Sequence, residues 1–165
     1  MSLENKLYIG QQLAKHLRDV HLGGNWCEAN YKEVLADLSL DEAKDSSYAN
    51  NSILTLCYHT HYYVKAVAEV LEGKGLNTKD ADSFILPEIN TQNDYLQFTD
   101  QLYKTAERAA ALLEKSNNEA LYGFFGNEKY GSTFRNVFGI IEHLNYHLGQ
   151  IVLIKKHLRK QNKAG

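Results

Sequence analysis

Two histidines four residues apart, His143 and His147, stand in the run Gly139-Ile-Ile-Glu142-His143-Leu-Asn-Tyr146-His147-Leu148-Gly149-Gln150. On a helix, residues at i and i+4 project from one face. That face reads Ile140, His143, His147, Ile151, Ile154, an apolar stripe that should turn towards a core. Such a pair can put two ring nitrogens on one divalent metal, the reason behind HExxH helices. Here Leu144 follows the first histidine where a zincin has glutamate, so a zincin mechanism is excluded. The competing reading is two unrelated histidines, each hydrogen-bonded to backbone or water.

A metal would need a third ligand from another helix, and the segment Cys57-Tyr58-His59-Thr60-His61-Tyr62-Tyr63 offers two. His59 shares a face with Leu56, Tyr63 and Ala66, and His61 shares one with Leu54, Cys57, Val64 and Ala68. Both faces are apolar, so spacing does not choose between them. Three histidines on facing helices would leave an open coordination position, as catalytic sites require. His16 and His157 lie among Lys and Arg and read as solvated, while His21, beside Gly23-Gly24 and Asn25-Trp26, is expected to cover the open end of a cleft. Gly149, a poor helix former, is expected to mark the close approach of a ligand or another helix. Gln150, near one turn from His147, suits a hydrogen bond to a neighbouring helix or to a metal-bound water. Tyr58, Tyr62, Tyr63 and Tyr146 cluster near the proposed ligands in sequence, as core residues or anion donors. Cys27 and Cys57 have no adjacent Lys or Arg to activate a thiolate, and both are expected to be buried.

The elements that must position these groups read as helices. The chain has 165 residues and one proline, Pro87, so the main helix breaker is scarce. The apolar periodicity is of the 3.6 type almost throughout. A first helix runs from about Glu4 to Val20 and breaks at Gly23-Gly24, and a shorter one follows Asn25, carrying Trp26, Tyr31, Val34, Leu35 and Leu38. A second long helix opens at Asn50-Asn51-Ser52 and continues to Leu71. Residues 73–90 form the longest irregular stretch. A third helix opens on Thr91 with Asp94 in a capping-box arrangement and ends before Asn117-Asn118. After an aromatic, glycine-rich loop, Ser132 caps a last helix from Thr133 to about Lys160. The expected fold is all-α: an antiparallel four-helix bundle with a kinked or broken first helix, as one domain over residues 1–165.

Composition sets the limits of function. Eighteen Lys+Arg against twenty Asp+Glu leave a net charge of −2, without the basic face that phosphate binding requires, so no nucleic-acid partner is expected. The longest uninterrupted apolar run, Ala109 to Leu113, is five residues against the ~20 that span a bilayer, so no membrane partner is expected either. Two cysteines that cannot form CxxC, with no apolar leader in the first thirty residues, read as reduced thiols in a cytoplasmic protein. Eleven Tyr and seven His suit a partly wet interior cleft.

The run Ser52-Ile53-Leu-Thr-Leu56-Cys-Tyr58-His59, with Ile-Glu-His143-Leu-Asn-Tyr146-His147-Leu148-Gly149-Gln150-Ile151 about eighty residues later, resembles the DinB-like superfamily. These four-helix-bundle proteins include YfiT-type metal-dependent hydrolases and several low-molecular-weight-thiol S-transferases. Tyr146-His147-Leu-Gly-Gln150-Ile carries the resemblance most specifically. His21-Leu-Gly-Gly24-Asn25-Trp26 is similar to a segment of one branch, and the likeness extends from about His21 to Lys156. It implies that one histidine of the second long helix and the HxxxH pair of the last hold a divalent metal, often nickel or zinc. Position by position, these fall on His59, His143 and His147, which favours His59 over His61.

The expected activity is metal-dependent: hydrolysis with water as the activated nucleophile, or S-transfer from a small-molecule thiol to an electrophile. Glu142, about 100° round the helix from His143, is expected to point away, which leaves no evident general base and favours transfer. The alternative class is a non-catalytic stress-response or interaction protein with a structural or vestigial metal site, or a helical dimerisation module without metal. A homodimer is expected from the resemblance and from the tyrosine-rich surface.

Overall fold

Side chains that satisfy free backbone N–H groups decide where the helices begin. The computed structural model describes residues 8–161, and among them every regular element is helical. The α-helices are α1 (Ile9–Leu22), α2 (Tyr31–Leu35), α3 (Leu40–Lys44), α4 (Ile53–Leu71), α5 (Gln92–Lys115), α6 (Asn118–Tyr122) and α7 (Thr133–Gln161). Asn30, Ser39, Ser52, Thr91 and Asn117 cap α2 to α6 in turn. Thr91 and Asp94 make the expected capping box, and Ser132 Oγ accepts the Arg135 N–H at the start of α7. The expected start of the first helix near Glu4 lies outside the described residues.

The segment after Gly23 departs from expectation. In place of one short helix there are two, α2 and α3, and Trp26 stands in the preceding turn, 98% exposed. Glu28 has φ 59°, a left-handed conformation that no helix can pass through, and the Asn30 cap restarts the chain beyond it. Cys27 is therefore exposed rather than buried, whereas Cys57 is buried on α4 as expected.

The four long helices contact one another in a ring: α1 with α5, α5 with α4, α4 with α7, and α7 with α1. Gly10 permits the first of these contacts, since a Cβ there would lie 2.2 Å from the Leu113 carbonyl oxygen. Arg18 bridges the same pair by ion pairs to Glu107 and Glu114. The short helix α2 is tied in by tyrosines whose rings fill the core. Tyr31 and Tyr95 are fully buried, and their hydroxyls donate to the carbonyls of Leu144 (3.2 Å) and Leu35 (3.2 Å). These two tyrosines belong to a dry core, not a wet cleft.

On α7 the buried seam is Val137, Ile141, Leu144, Leu148, Ile151, Ile154 and Leu158, mostly a 4-3-4-3 spacing that holds one face against its neighbours. His143 and His147 are each one residue short of a seam position, which rotates them onto its flank. They are half-buried, not core-facing as the stripe through Ile140 suggests. By length and mean hydropathy (1.2 over its most apolar stretch), α7 alone among the described helices could cross a bilayer. Its seam residues are buried in the protein.

Candidate metal centre

His59, on α4, is buried, with 5% of its surface exposed, and meets the α7 pair where the two helices touch. Its Nε2 lies 3.1 Å from His143 Nε2, which lies 2.7 Å from His147 Nε2. One ring nitrogen from each of the three falls within 4.8 Å of the others. Ligand pairs on a metal at ~2.0–2.1 Å, with bond angles near 90–109°, stand about 2.8–3.4 Å apart, close to the two Nε2 separations found.

The outward nitrogens determine what the inward ones offer. His59 Nδ1 lies 2.8 Å from Ser83 Oγ, which donates its own proton to the Asp80 carbonyl at 2.5 Å. The serine oxygen is therefore an acceptor, Nδ1 carries the proton, and Nε2 faces inward with a lone pair. His147 repeats the arrangement: Nδ1 donates to Gln150 Oε1 at 2.7 Å, and the amide nitrogen donates to the Tyr146 hydroxyl at 3.2 Å. Two inward lone pairs thus converge on His143. A single N–H on His143 could satisfy one of them and not the other. A cation between the three rings satisfies all of them, so the donor set fits a divalent ion with oriented ligands.

Charge points the same way. Burial first, then the neighbouring His147 and His59 rings, push His143 down to about 4. Burial first, then His147, lowers His59, and burial lowers His147 against the opposing Gln150 hydrogen bond. The rings are neutral at pH 7, the state in which imidazole ligates.

Residues 73–90, expected to be irregular, build one wall. A 3₁₀ turn at Asp80–Phe84 packs on α4, and it supplies both the fully buried Ser83 and Phe84, whose ring stacks on His59 at 4.4 Å. Tyr63 holds this turn by donating to Asp80 Oδ1 at 2.5 Å and sets its ring edge against His59 and His143. Tyr62 accepts the Lys79 N–H at 3.1 Å. Sequence reasoning missed Ser83, Asp80 and Phe84, because no periodicity marks a wall folded back across a loop. The Asp80/Asp82/Ser83 cluster ahead of Phe84 was the available signal.

His61 points elsewhere, with its ring edge on Phe98 of α5 at 6.0 Å and its buried Nδ1 without a partner among the described residues. Tyr58 also turns to Phe98. His21 does not cover a cleft: it is 1% exposed, donates from Nδ1 to the Leu17 carbonyl at 2.7 Å and stacks on Tyr31. His157 is not simply solvated but stacks on Tyr48 at 3.8 Å, whereas His16 is exposed as expected. Gly149 marks no close approach, since a Cβ there would meet nothing within 4 Å. Glu142, expected to point away, borders the same cleft as His143. Comparison of the chain with protein-family profiles, with proteins of curated function and with solved structures returns no match in any of the three.

Proposed function

We propose that this protein is a metal-dependent enzyme of the DinB-like, antiparallel four-helix-bundle type, acting on small molecules through one zinc or nickel ion held by His59, His143 and His147. The observation that carries this reading is the pair of inward lone pairs, on His59 and His147, set by Ser83 and Gln150 and converging on His143. A divalent ion bound there would supply Lewis acidity that lowers the pKa of a water or thiol nucleophile. The protein's own contribution is to keep three neutral nitrogens in register, to shield one side with Phe84 and Tyr63, and to leave the His143 side open to a cleft.

Transfer from a small-molecule thiol to an electrophile is the preferred reaction, since neutral ligands leave the ion its full charge and, among the described residues, no buried carboxylate adjoins the triad. Hydrolysis is the second reading, favoured by Glu142 at the cleft, a carboxylate able to act on a water. A homodimer is part of the proposal. It is supported by the exposed Tyr146 and Leu153 on α7, and light scattering at twice the 18.8 kDa chain mass checks it.

The deciding experiment is elemental analysis of protein purified without chelator or metal-affinity resin, followed by paired assays. One metal per chain is expected, lost in His59→Ala, His143→Ala and His147→Ala and kept in His61→Ala. Metal-dependent conjugation of cysteine to an aryl halide supports transfer. Metal-dependent cleavage of a nitrophenyl ester that falls in Glu142→Gln supports hydrolysis. Folded, fully metallated protein inert in both assays would end the enzyme proposal.

A further inference from the structure

Beside His143 lies a cleft of about 590 Å³, within the range of small-molecule sites. Its walls are aromatic: Phe125, Tyr130, Phe134 and Phe138, the last two stacked at 6.1 Å. Gly126, next to the lining residue Phe125, packs closely on Leu76, which also lines the cleft. Its φ is +70°, and a Cβ there would press on Leu76 at 2.9 Å, so the two loops that meet above α7 touch backbone to side chain.

Three residues of α7 run along this cleft at one-turn spacing, Arg135, Gly139 and His143. Glycine within a helix is unfavourable against alanine. No neighbour requires it here, because a Cβ at Gly139 would meet nothing within 4 Å. Its consequence is an open floor midway between a metal-ligand histidine and an arginine. That arginine differs from the other three in the chain. Arg18, Arg108 and Arg159 each pair with carboxylates, whereas Arg135 makes no ion pair among the described residues. Glu142 borders the His143 end, so the cleft is cationic at one end and carries a carboxylate at the other.

We infer that this cleft binds an anionic, aryl-bearing small molecule, with its carboxylate on Arg135, its ring over Gly139 and its far end at His143. Arginine matches a carboxylate in a bidentate fork. The aromatic walls take a ring by offset or edge contacts. Arg135, without an ion pair among the described residues, sets the orientation by holding the carboxylate at the end away from the triad. Arg135 and His143 are eight residues apart, about 12 Å along the helix. The assignment deepens the proposed function by naming the class of molecule presented to the triad, and it rests on the triad being the reactive centre.

The probe is 4-phenylbutyrate, whose ring and chain span most of that distance, with uncharged 4-phenylbutanamide as its control. Both are titrated calorimetrically into the full-length protein, zinc-loaded and chelator-stripped. One acid is expected to bind per chain. Arg135→Gln should weaken the acid about tenfold and leave the amide unchanged. Gly139→Leu, whose Cβ would meet nothing within 4 Å and whose longer side chain would fill the floor, should abolish both while zinc content stays at the wild-type value. The assignment is overturned if folded wild-type protein binds no acid, if Arg135→Gln weakens acid and amide alike, or if Gly139→Leu changes neither. It is also overturned if binding vanishes on stripping zinc yet ignores Arg135→Gln, since the acid is then a ligand on the metal. Arg135-dependent binding in a protein that takes up no stoichiometric zinc keeps the cleft and defeats the metal-enzyme proposal instead.

Discussion

Ser83 and Gln150 determine which nitrogens of the histidine triad face inward with lone pairs, although neither belongs to it. Each accepts the Nδ1 proton of one histidine and so frees that ring's Nε2. Such partners typically govern metal affinity by about 10- to 100-fold. Ser83→Ala and Gln150→Leu are therefore each expected to weaken zinc binding within that range while the fold is kept, as read by competition with a chromogenic chelator. Unchanged affinity in both variants would mean that the hydrogen bonds do not orient the ligands. His59 and His61 show how fine the selection is at this scale. They are two residues apart on one helix with equally apolar faces, and only the first meets α7.

At the scale of the element, close approach is decided by backbone. Gly10 lets α1 lie against the end of α5, where an added methyl would meet the Leu113 and Ser116 carbonyl oxygens at 2.2 and 3.0 Å. The Leu113 carbonyl, inside α5, cannot rotate away as a flexible side chain would, so the helices must separate. Overpacking of this kind costs about 1–3 kcal/mol. Gly10→Ala is expected to lower stability by that amount in urea unfolding, and a midpoint equal to the wild type would show that the contact is looser. At the other end of α7, Lys155 and Arg159 pair with Asp37 and hold the segment between α2 and α3 against the last helix.

For the molecule as a whole, the buried histidines set the response to acid. Burial lowers His21 to about 4, opposed only by its bond to the Leu17 carbonyl, against 6.5 when unfolded. Between those values the unfolded chain binds the proton and the folded one does not. Stability is therefore full above pH 6.5 and declines as pH falls towards 4, by an amount on the order of 3 kcal/mol from this residue. Urea midpoints of metal-stripped protein should fall between pH 7 and pH 4.5, and fall less in His21→Gln, whose amide can still donate to Leu17. Equal acid sensitivity in the two proteins would remove His21 as the cause.

By itself the sequence determined the four long helices, because periodicity, capping residues and scarce proline are local properties. Ser52 and Thr91 start α4 and α5 where their side chains can reach a free N–H, whatever the rest of the chain does. It also determined that His143 and His147 share a face, since four residues are close to one helical turn. Only the tertiary structure decided the rest. Whether His59 or His61 joins them depends on how α4 is rotated against α7 and α5, a relation between helices that no spacing within one helix encodes. The Asp80–Phe84 wall and the proton positions it imposes arise from a loop folding back over α4. Gly139 and Arg135 became parts of one cleft only when the loops carrying Leu76 and Phe125 closed over α7, a contact between segments about fifty residues apart in sequence.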